Sequence, residues 1–186
     1  MRKLVVFNTV TVDGYFTGAN GDMSWAHKND PEWQEFTSGN ARGESVMVFG
    51  RVTYQMMAGW WPSPQAMKVM PDVAGRMNSA SKIVFSRTLN EASWNNTTLV
   101  KTDPASAIQK IKKESGPDLI IFGSGTIVSL LAEHGLIDEY QIVLSPIVLG
   151  RGRTMFEGVK QPLNLKLTGS RSFKNGNVVL YYQPAK

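Results

Sequence analysis

Four short apolar runs lie along the first two thirds of the chain, and none of them alternates with polar residues. They are Leu4–Phe7, Val46–Phe49, Ile83–Phe85 and Leu119–Phe122. Uninterrupted runs of this length, rich in β-branched residues, are typical of parallel strands that are covered on both faces. We therefore predict four buried strands of a parallel sheet.

The sequence on either side of the fourth run carries helix signals. Asp103 before Pro104 predicts an N-cap followed by proline at the first helical position, and Ser115-Gly116-Pro117 ends that helix. A second helix is predicted from about Thr126 to His134, with Gly135 as its terminator. Both helices would connect successive parallel strands.

The last third of the chain has a different period. Leucines alternate with polar residues over Leu163–Thr168, and Asn175-Gly176 is a two-residue hairpin signal. A further strand is predicted over Tyr140–Val148, at a sheet edge or with a bulge, because Pro146 interrupts it. We therefore expect one α/β domain over residues 1–186, with a mixed sheet that is parallel at first and antiparallel at its end.

Composition narrows the possible functions. The chain of 186 residues is 42% hydrophobic and 19% charged, which excludes disordered and fibrous proteins. The absence of cysteine excludes a disulfide scaffold, a thiolate zinc site and a cysteine nucleophile. No apolar run fits a signal peptide or approaches the ~18 residues of a membrane span, so we expect a cytoplasmic protein with no membrane partner. The net charge of +5 suits an anionic small ligand as well as a polymer.

Glycines, hydroxyls and guanidinium groups follow three of the apolar runs. Gly50-Arg51-Val52-Thr53 follows the second run, Ser86-Arg87 the third and Gly123-Ser124-Gly125-Thr126 the fourth. The carboxyl ends of parallel strands share one edge of the sheet, where ligands of open α/β sheets bind. These motifs predict a polyphosphate site, and the two arginines with a serine favour the 2′-phosphate of NADPH over NADH.

Each motif taken singly has a plainer interpretation. The dinucleotide fingerprint would need glycine where the chain has Val128, so the Gly123 motif could equally be a tight turn without a ligand. Arg51 or Arg87 alone would be an ordinary surface residue. His27 and His134 are too few and too far apart for a recognisable metal site, so we expect no metal.

Two further segments carry candidate acids. The glycine-rich stretch Thr9–Trp25, which contains Asp13, could fold over a ligand as a lid, although long surface loops also occur without function. Asp30 opens a predicted helix at Pro31, a position where acids commonly serve only the helix dipole. The segment Met56–Pro62 is either an apolar rim for a planar ring or packed core.

Taken together, these segments resemble the dihydrofolate reductase-like superfamily, and the match covers nearly the whole chain. They are Val12–Tyr15, Val46–Tyr54, Lys82–Arg87, Leu119–Thr126, and Pro146–Gly152 with Phe156 after it. The segment Pro146–Gly152 with Phe156 resembles most the branch of this superfamily that contains the C-terminal reductase domain of the bifunctional riboflavin-biosynthesis deaminase-reductase. No zinc deaminase domain is expected in a chain without cysteine, so we expect a stand-alone reductase at most.

The resemblance implies a fold and a set of site residues. The fold is a three-layer α/β structure with helices on both faces of a mixed, mostly parallel sheet that ends in an antiparallel hairpin. A homodimer is also implied, with the antiparallel end of the sheet as a candidate surface. The resemblance implies that Asp13 lies near the nicotinamide and the substrate, and that Asp30 matches the substrate-binding acid of dihydrofolate reductase. The implied NADPH contacts are Gly50, Arg51 and Thr53 on the adenosine and phosphate side, Ser86 and Arg87 at the 2′-phosphate, Gly123, Ser124, Gly125 and Thr126 at the pyrophosphate, and Gly14 near the nicotinamide.

The resulting hypothesis is an NADPH-dependent reductase of the 5-amino-6-(5-phosphoribosylamino)uracil reductase type, acting on a small heterocyclic or ribosylaminopyrimidine substrate. Asp13 or Asp30 would orient or protonate that substrate. Two alternatives stay open. One is a dihydrofolate reductase, suggested by the spacing of Trp25 and Asp30, and the other is a nucleotide-binding module without turnover. Nucleic-acid binding is disfavoured, because the lysines and arginines are scattered along the chain.

Overall fold

The computed structural model describes residues 1–26, 30–41 and 44–185, with side chains omitted at 40 and 41. Within those ranges the chain forms ten strands and six α-helices, together with a 3₁₀ turn at Ser24–Ala26. The strands are β1 (Leu4–Thr11), β2 (Tyr15–Thr17), β3 (Val46–Gly50), β4 (Lys82–Phe85), β5 (Thr97–Val100), β6 (Leu119–Phe122), β7 (Glu139–Ser145), β8 (Arg153–Thr154), β9 (Leu165–Ser172) and β10 (Val178–Pro184). The helices are α1 (Pro31–Ala41), α2 (Arg51–Trp60), α3 (Pro64–Val69), α4 (Pro71–Ser79), α5 (Pro104–Lys113) and α6 (Gly125–Glu133).

Eight of the strands form one mixed sheet, in the order β5-β4-β3-β6-β1-β7-β10-β9. The pairs from β5 to β7 are all parallel, whereas β10 runs antiparallel to both β7 and β9. A small separate ladder joins β2 to β8. The predicted mixed sheet, parallel at first and closed by an antiparallel hairpin, is confirmed.

Helices cover the sheet from both sides, as expected for a three-layer fold. On one face α5 and α6 bury Ile108 and Leu131 against residues such as Ile121 of β6. On the other face α2 and α4 contribute Tyr54 and Met77 to a second cluster, and α1 packs through Trp33 in a third. The central strands are therefore buried on both sides, which explains their uninterrupted apolar runs.

Several boundaries follow from local signals in the sequence. The Asp103 carboxylate accepts a hydrogen bond from the Ser106 N–H at 2.8 Å, so the predicted N-cap of α5 is confirmed. Helix α6 ends at Glu133, and Gly135, two residues further on, has a φ of +61° that suits glycine. The hairpin at Asn175-Gly176 joins β9 to β10 as predicted.

Other expectations need correction. The edge position for Tyr140–Val148 is wrong, because β7 lies between β1 and β10 and ends at Ser145, before Pro146 could remove a donor from its ladder. The stretch Thr9–Trp25 is not one loop, since its first residues complete β1 and Tyr15–Thr17 form β2.

Several elements had not been predicted, among them β5, α3 and α4. The edge strand β5 contains the sequence Thr-Thr-Leu-Val, which is too short and too polar to stand out. Helices α3 and α4 each begin with a proline. No helix in the described part of the chain is long and apolar enough to cross a membrane.

Candidate functional site

Two of the predicted motifs meet where β3 and β6 end side by side. The Gly50 N–H donates to Ser124 Oγ at 2.9 Å, and the Ser124 N–H donates to Thr53 Oγ1 at 3.0 Å. The Ser124 hydroxyl also donates to the Phe122 carbonyl at 3.2 Å. The segments that begin at Gly50 and Gly123 therefore form one interlocked structure, although they lie far apart in the sequence.

The turn from β6 into α6 has an unusual backbone. Gly123 and Ser124 both have positive φ, at +63° and +58°. A Cβ on Gly123 would lie 2.8 Å from Thr53 Cγ2, so glycine is required there for space as well as for conformation. Ser124 in the left-handed region carries strain of the order of 1 kcal/mol, which its hydrogen bonds hold in place.

Asn8 fixes the same turn from β1. Its Nδ2 donates to the Gly123 carbonyl at 3.0 Å, and its Oδ1 accepts from the Gly123 N–H at 2.5 Å. The residue is only 3% exposed, and Nδ2 also contacts Met155 Sδ at 3.1 Å. The sequence analysis missed Asn8; its one signal was a lone amide that ends the first apolar run.

The start of α6 is built to receive an anion. The N–H groups of Ile127 and Val128 donate to the Ser124 carbonyl, at 2.8 and 3.0 Å. The N–H groups of Gly125 and Thr126 precede them in the first turn, where helical donors have no carbonyl partner within the helix. Together with the helix dipole, these donors suit a phosphate or pyrophosphate group.

The two arginines lie at the same edge of the sheet. Arg51 is the exposed first residue of α2, and its Nη1 donates to Gln55 Oε1 at 2.9 Å. Arg87 is exposed in the turn after β4. Ser86 shapes that turn, since its Oγ accepts from the Thr88 and Leu89 N–H groups at 3.2 and 3.0 Å.

The electrostatics of the neighbouring α5 start indicate where Arg87 lies. Hydrogen bonds from Ser106 lower the pKa of Asp103, with smaller contributions from the charges of His134 and Arg87. Arg87 is therefore close enough to the N-terminus of α5 to add positive charge to this side of the edge. Either arginine can offer a two-donor fork to a phosphate.

The Asp13 carboxylate holds the loop that follows β7. It accepts hydrogen bonds from Thr11 Oγ1 at 2.6 Å and from the N–H groups of Leu149 and Gly150 at 3.1 and 2.7 Å. The Thr11 hydroxyl, followed by the two backbone N–H groups, lowers the pKa of Asp13 below its ordinary value. Asp13 is thus an ionised acceptor near neutral pH, suited to positioning this loop rather than to donating a proton.

Gly14 closes the turn that presents Asp13. Its φ is +84°, and its N–H donates to the Thr11 carbonyl at 2.9 Å. The Val12 N–H reaches the Ile147 carbonyl at 2.9 Å, which adds a second tie between this turn and the loop after β7. The strand-end loop and the Asp13 turn therefore form one unit.

Asp30 caps α1. Its Oδ1 accepts from the Trp33 N–H at 2.8 Å, and its carbonyl accepts from the Gln34 N–H at 2.9 Å. This contact agrees with the plainer interpretation of an acid that serves its helix. His27 lies outside the described residues, and within the described ranges no three histidine, aspartate or glutamate side chains gather in a way that could hold a metal ion.

An aromatic cluster lies between α1 and the sheet. The rings of Phe7 on β1 and Phe122 on β6 meet edge to face, with centroids 6.1 Å apart. Phe36 of α1 lies 6.4 Å from Phe7, and all three side chains are half-buried. Partly open ring surfaces of this kind can stack against a planar heterocycle.

The chain has relatives and structural neighbours over its whole length. Residues 2–179 match the RibD C-terminal domain family. The uncharacterized protein YyaP of Bacillus subtilis (strain 168) is 29% identical over 97% of this chain and 94% of its own length, and YwjB of the same organism is 24% identical over 97% of both chains.

Solved structures share the fold at lower identity. A putative riboflavin biosynthesis protein from Shewanella sp. PV-4 superposes with a TM-score of 0.77 at 22% identity, covering 99% of each chain. A diaminohydroxyphosphoribosylaminopyrimidine deaminase/5-amino-6-(5-phosphoribosylamino)uracil reductase from Thermotoga maritima gives 0.69 at 16% identity, with 99% of this chain covering 57% of that one. The family match covers nearly the whole chain, so the chain belongs to the RibD C-terminal domain family.

Proposed function

We propose that this protein is an NADPH-dependent reductase that transfers a hydride to a small heterocyclic substrate of the ribosylaminopyrimidine type. The observation that carries the proposal is the turn at Gly123–Ser124, which Gly50, Thr53 and Asn8 hold in a left-handed conformation. Such an over-determined turn at a helix start is typical of a phosphate-binding site. Membership of the RibD C-terminal domain family supports a reductase-like role.

Each cofactor contact has a candidate in the described residues. The N–H groups of Gly125 and Thr126 bind the pyrophosphate, while Arg51 and Arg87 bind the 2′-phosphate with the help of Ser86. NADPH, when bound, supplies the hydride. The residues of the chain need only hold the substrate's electrophilic carbon within roughly 3–3.5 Å of the reacting centre and exclude water.

The substrate side rests on the aromatic cluster and on two acids. Phe7 and Phe122 offer an apolar surface for a planar ring. Asp30 caps α1, the helix that carries Phe36, and in this proposal it orients a polar group of the substrate. Asp13, already held by Thr11 and the loop after β7, acts as a positioning residue.

The first test compares NADPH with NADH by thermal shift and by titration of the purified protein. A ligand that binds the native state at a hundred times its Kd adds about 2.7 kcal/mol of stability. We expect stabilisation by NADPH, a smaller effect of NADH, and loss of the difference in Arg87→Ala and Arg51→Ala. Lys166→Ala on β9, an exposed cation far along the sheet, is the control. Failure of both nucleotides to stabilise the protein contradicts the proposal.

A second candidate function is a nucleotide-binding module without turnover. The observation that favours it is the engagement of both acids in the fold, Asp13 with the loop after β7 and Asp30 with α1. NADPH binding with no NADPH oxidation across a panel of pyrimidines, pterins and dihydrofolate supports this module. Turnover that falls at least tenfold in Asp30→Asn, with unchanged NADPH affinity, supports the reductase instead.

A further inference from the structure

A cavity of about 620 Å³ lies at the amino ends of three parallel strands, and we call it the amino-end cavity. Its lining includes Val46, Lys82 and Thr97, which are the first residues of β3, β4 and β5. The turn at Gly123–Ser124 follows the carboxyl end of β6, which pairs with β3 in parallel. The amino-end cavity and the proposed cofactor turn therefore lie at opposite edges of the sheet. Small-molecule sites usually have volumes of roughly 300–1,000 Å³, so the cavity is large enough for a ligand.

The floor of the amino-end cavity is apolar. Val46, Ile83 and Val100 line it, one from each of the three strands, together with Ile111 of α5. All four side chains are half-buried and pack against the cluster beneath α5 and α6. Because part of this surface remains in contact with water, an apolar ligand group that covers it would be bound favourably.

Arg2 supplies a cation to the lining of the cavity, and its guanidinium group is held in place. Its Nε donates to the Pro117 carbonyl, and its backbone N–H donates to the Lys112 carbonyl at 3.0 Å. Gly116 lies against the guanidinium group, since a Cβ added there would be 3.5 Å from Arg2 Cζ. The chain therefore fixes the cation before a ligand binds, which lowers the entropy that binding costs.

The Arg2 guanidinium still has hydrogen-bonding capacity. Its Nη2 is buried and has no acceptor among the described residues. Glu114 lines the same cavity but forms no ion pair with Arg2, and the ion pairs found within the described ranges join other residues. Buried donors are nearly always paired, and a guanidinium group pairs best with an oxyanion. An oxyanion in the cavity would give Arg2 the acceptor that it lacks.

The other side chains of the lining limit the charge of such a ligand. The Lys82 ammonium group already donates to three backbone carbonyls, so it is not available. Glu114 adds one negative charge and would repel a polyphosphate. Ser81, Thr97 and Thr98 contribute only neutral hydroxyl groups. One guanidinium group with one carboxylate near it suits a ligand that carries a single negative charge.

We propose that the amino-end cavity binds a small organic anion with a single negative charge. Its oxyanion group pairs with Arg2, and its apolar ring or chain lies on the floor formed by Ile83 and Val100. The cavity lies away from the turn that we propose binds NADPH, so the anion and the cofactor do not compete. This proposal is independent of the proposed function and holds whether or not NADPH binds.

Titration with 8-anilinonaphthalene-1-sulfonate tests the proposal, because this probe joins one sulfonate to apolar rings and fluoresces when it leaves water. We expect one probe to bind per wild-type chain. Arg2→Met should weaken binding at least tenfold, because methionine keeps the apolar contact but not the charge. Lys166→Met, at an exposed position on β9, is the matched control and binds the probe as wild type does. Equal affinity in wild type and Arg2→Met overturns the proposal.

A second variant keeps the test decisive if Arg2→Met does not fold. Thr98 is exposed and lies opposite Ile83 in the sheet, so Thr98→Glu places a negative charge at the cavity and leaves Arg2 unchanged. We expect Thr98→Glu to weaken probe binding at least tenfold, whereas the neutral Thr98→Gln, of the same size, binds close to wild type. Equal affinity in Thr98→Glu and Thr98→Gln contradicts the proposal.

Competition for the bound probe separates this cavity from other sites. Octanoate, with one carboxylate and an apolar chain, should displace the probe at least tenfold better than acetate, and NADPH should not displace it. Acetate that is as effective as octanoate indicates an ion site without an apolar floor. Displacement by NADPH places the probe at the cofactor turn. Either result contradicts the proposal.

Discussion

Asn8 is a single amide directly after the apolar run of β1. It forms hydrogen bonds to both the N–H and the carbonyl of Gly123. A buried donor or acceptor that loses its partner costs about 1–3 kcal/mol, which explains why an amide is kept in a strand whose other residues are leucine, valine, phenylalanine and threonine. The same amide reaches Met155 Sδ and so links the turn to the chain near β8. One side chain therefore joins three distant segments at the site.

Replacing Asn8 by leucine tests whether this amide shapes the turn at Gly123–Ser124, which we propose binds the cofactor. The leucine is close in size but leaves the Gly123 N–H and carbonyl without a partner, so we expect the free energy of unfolding to fall by about 1–3 kcal/mol. The affinity for NADPH should fall about tenfold. The preference for NADPH over NADH should not change, because Arg51 and Arg87 are unchanged. Urea denaturation and nucleotide titration measure the two effects.

The isosteric variant Asn8→Asp changes the charge without changing the size. Its carboxylate still accepts from the Gly123 N–H, but it sets an oxygen against the Gly123 carbonyl and a buried negative charge beside the proposed phosphate site, so NADPH affinity should fall further than in Asn8→Leu. Affinity for NADPH that is unchanged in Asn8→Leu contradicts the assigned role of the turn.

The sequence predicted the strand-end motifs that form the candidate site, but not the side-chain hydrogen bonds that hold these motifs in place. Gly50, Thr53 and Ser124 were predicted by position, because strand ends of a parallel sheet share an edge. Asn8 was missed, because its partner Gly123 lies 115 residues away and no local pattern joins them. Asp13 was identified as an acid, but its hydrogen bonds to the loop after β7 depend on tertiary folding.

At the level of elements, Lys82 at the start of β4 joins α4 to the segment before β5. The residue is 1% exposed, and its ammonium group donates to the carbonyls of Asn78, Ala80 and Asn95 at 3.2, 2.7 and 3.0 Å. It also lies 4.4 Å from the ring centre of Trp94. A cation enclosed in this way caps the C-terminus of α4 and holds the segment between α4 and β4 in place.

Lys82→Met tests this arrangement. The methionine fills the space but removes the ammonium donor from three carbonyl oxygens, and we expect the free energy of unfolding at pH 7 to fall by about 1–3 kcal/mol. Burial, with a smaller contribution from Arg76, lowers the pKa of Lys82 to about 8. Because the unfolded chain binds this proton more tightly, wild-type stability should rise relative to Lys82→Met from about pH 8 to pH 10.

Urea denaturation at pH 7, 8, 9 and 10 measures this difference, and Lys68→Met on the exposed side of α3 is the control. A difference in the free energy of unfolding between wild type and Lys82→Met that stays constant with pH contradicts the assigned titration.

These elements also show where sequence patterns fail. Lys82 stands in an apolar run as if solvated, and the strand β5 beside it had no apolar pattern of its own, so neither the burial of the lysine nor the pairing of the strands could be predicted.

At the scale of the whole molecule, one ion pair fastens both helices of the α5–α6 layer to the first strand. Lys112 of α5 donates to Asp138 at 2.5 Å and to the Leu136 carbonyl at 2.7 Å, and Asp138 also accepts from the Leu4 N–H at 2.7 Å. The Lys112 side chain is 11% exposed and that of Asp138 is 40% exposed. The pair therefore lies between the buried and the surface class of ion pair.

Asp138→Ala should lower the free energy of unfolding by about 1–3 kcal/mol, because the largely buried Lys112 ammonium keeps only the Leu136 carbonyl and the Leu4 N–H loses its acceptor. Partial exposure of Asp138 keeps the loss below that of a fully buried pair. Glu91→Ala, at an exposed position, is the matched control. If Asp138→Ala and Glu91→Ala unfold at the same urea midpoint, the ion pair does not contribute to stability as we expect.

The position of β1 in the sheet has a consequence for synthesis of the chain. Its first residue pairs with Leu119 on one side, and Val5 pairs with Glu139 on the other. During synthesis β1 therefore waits for more than a hundred residues before either of its edges can be filled, and the sheet is completed only when β9 and β10 have been made. Contacts so distant in sequence slow folding and leave apolar edges open to aggregation. Yield in a cell should accordingly respond to chaperone supply and growth temperature more than to changes at the surface.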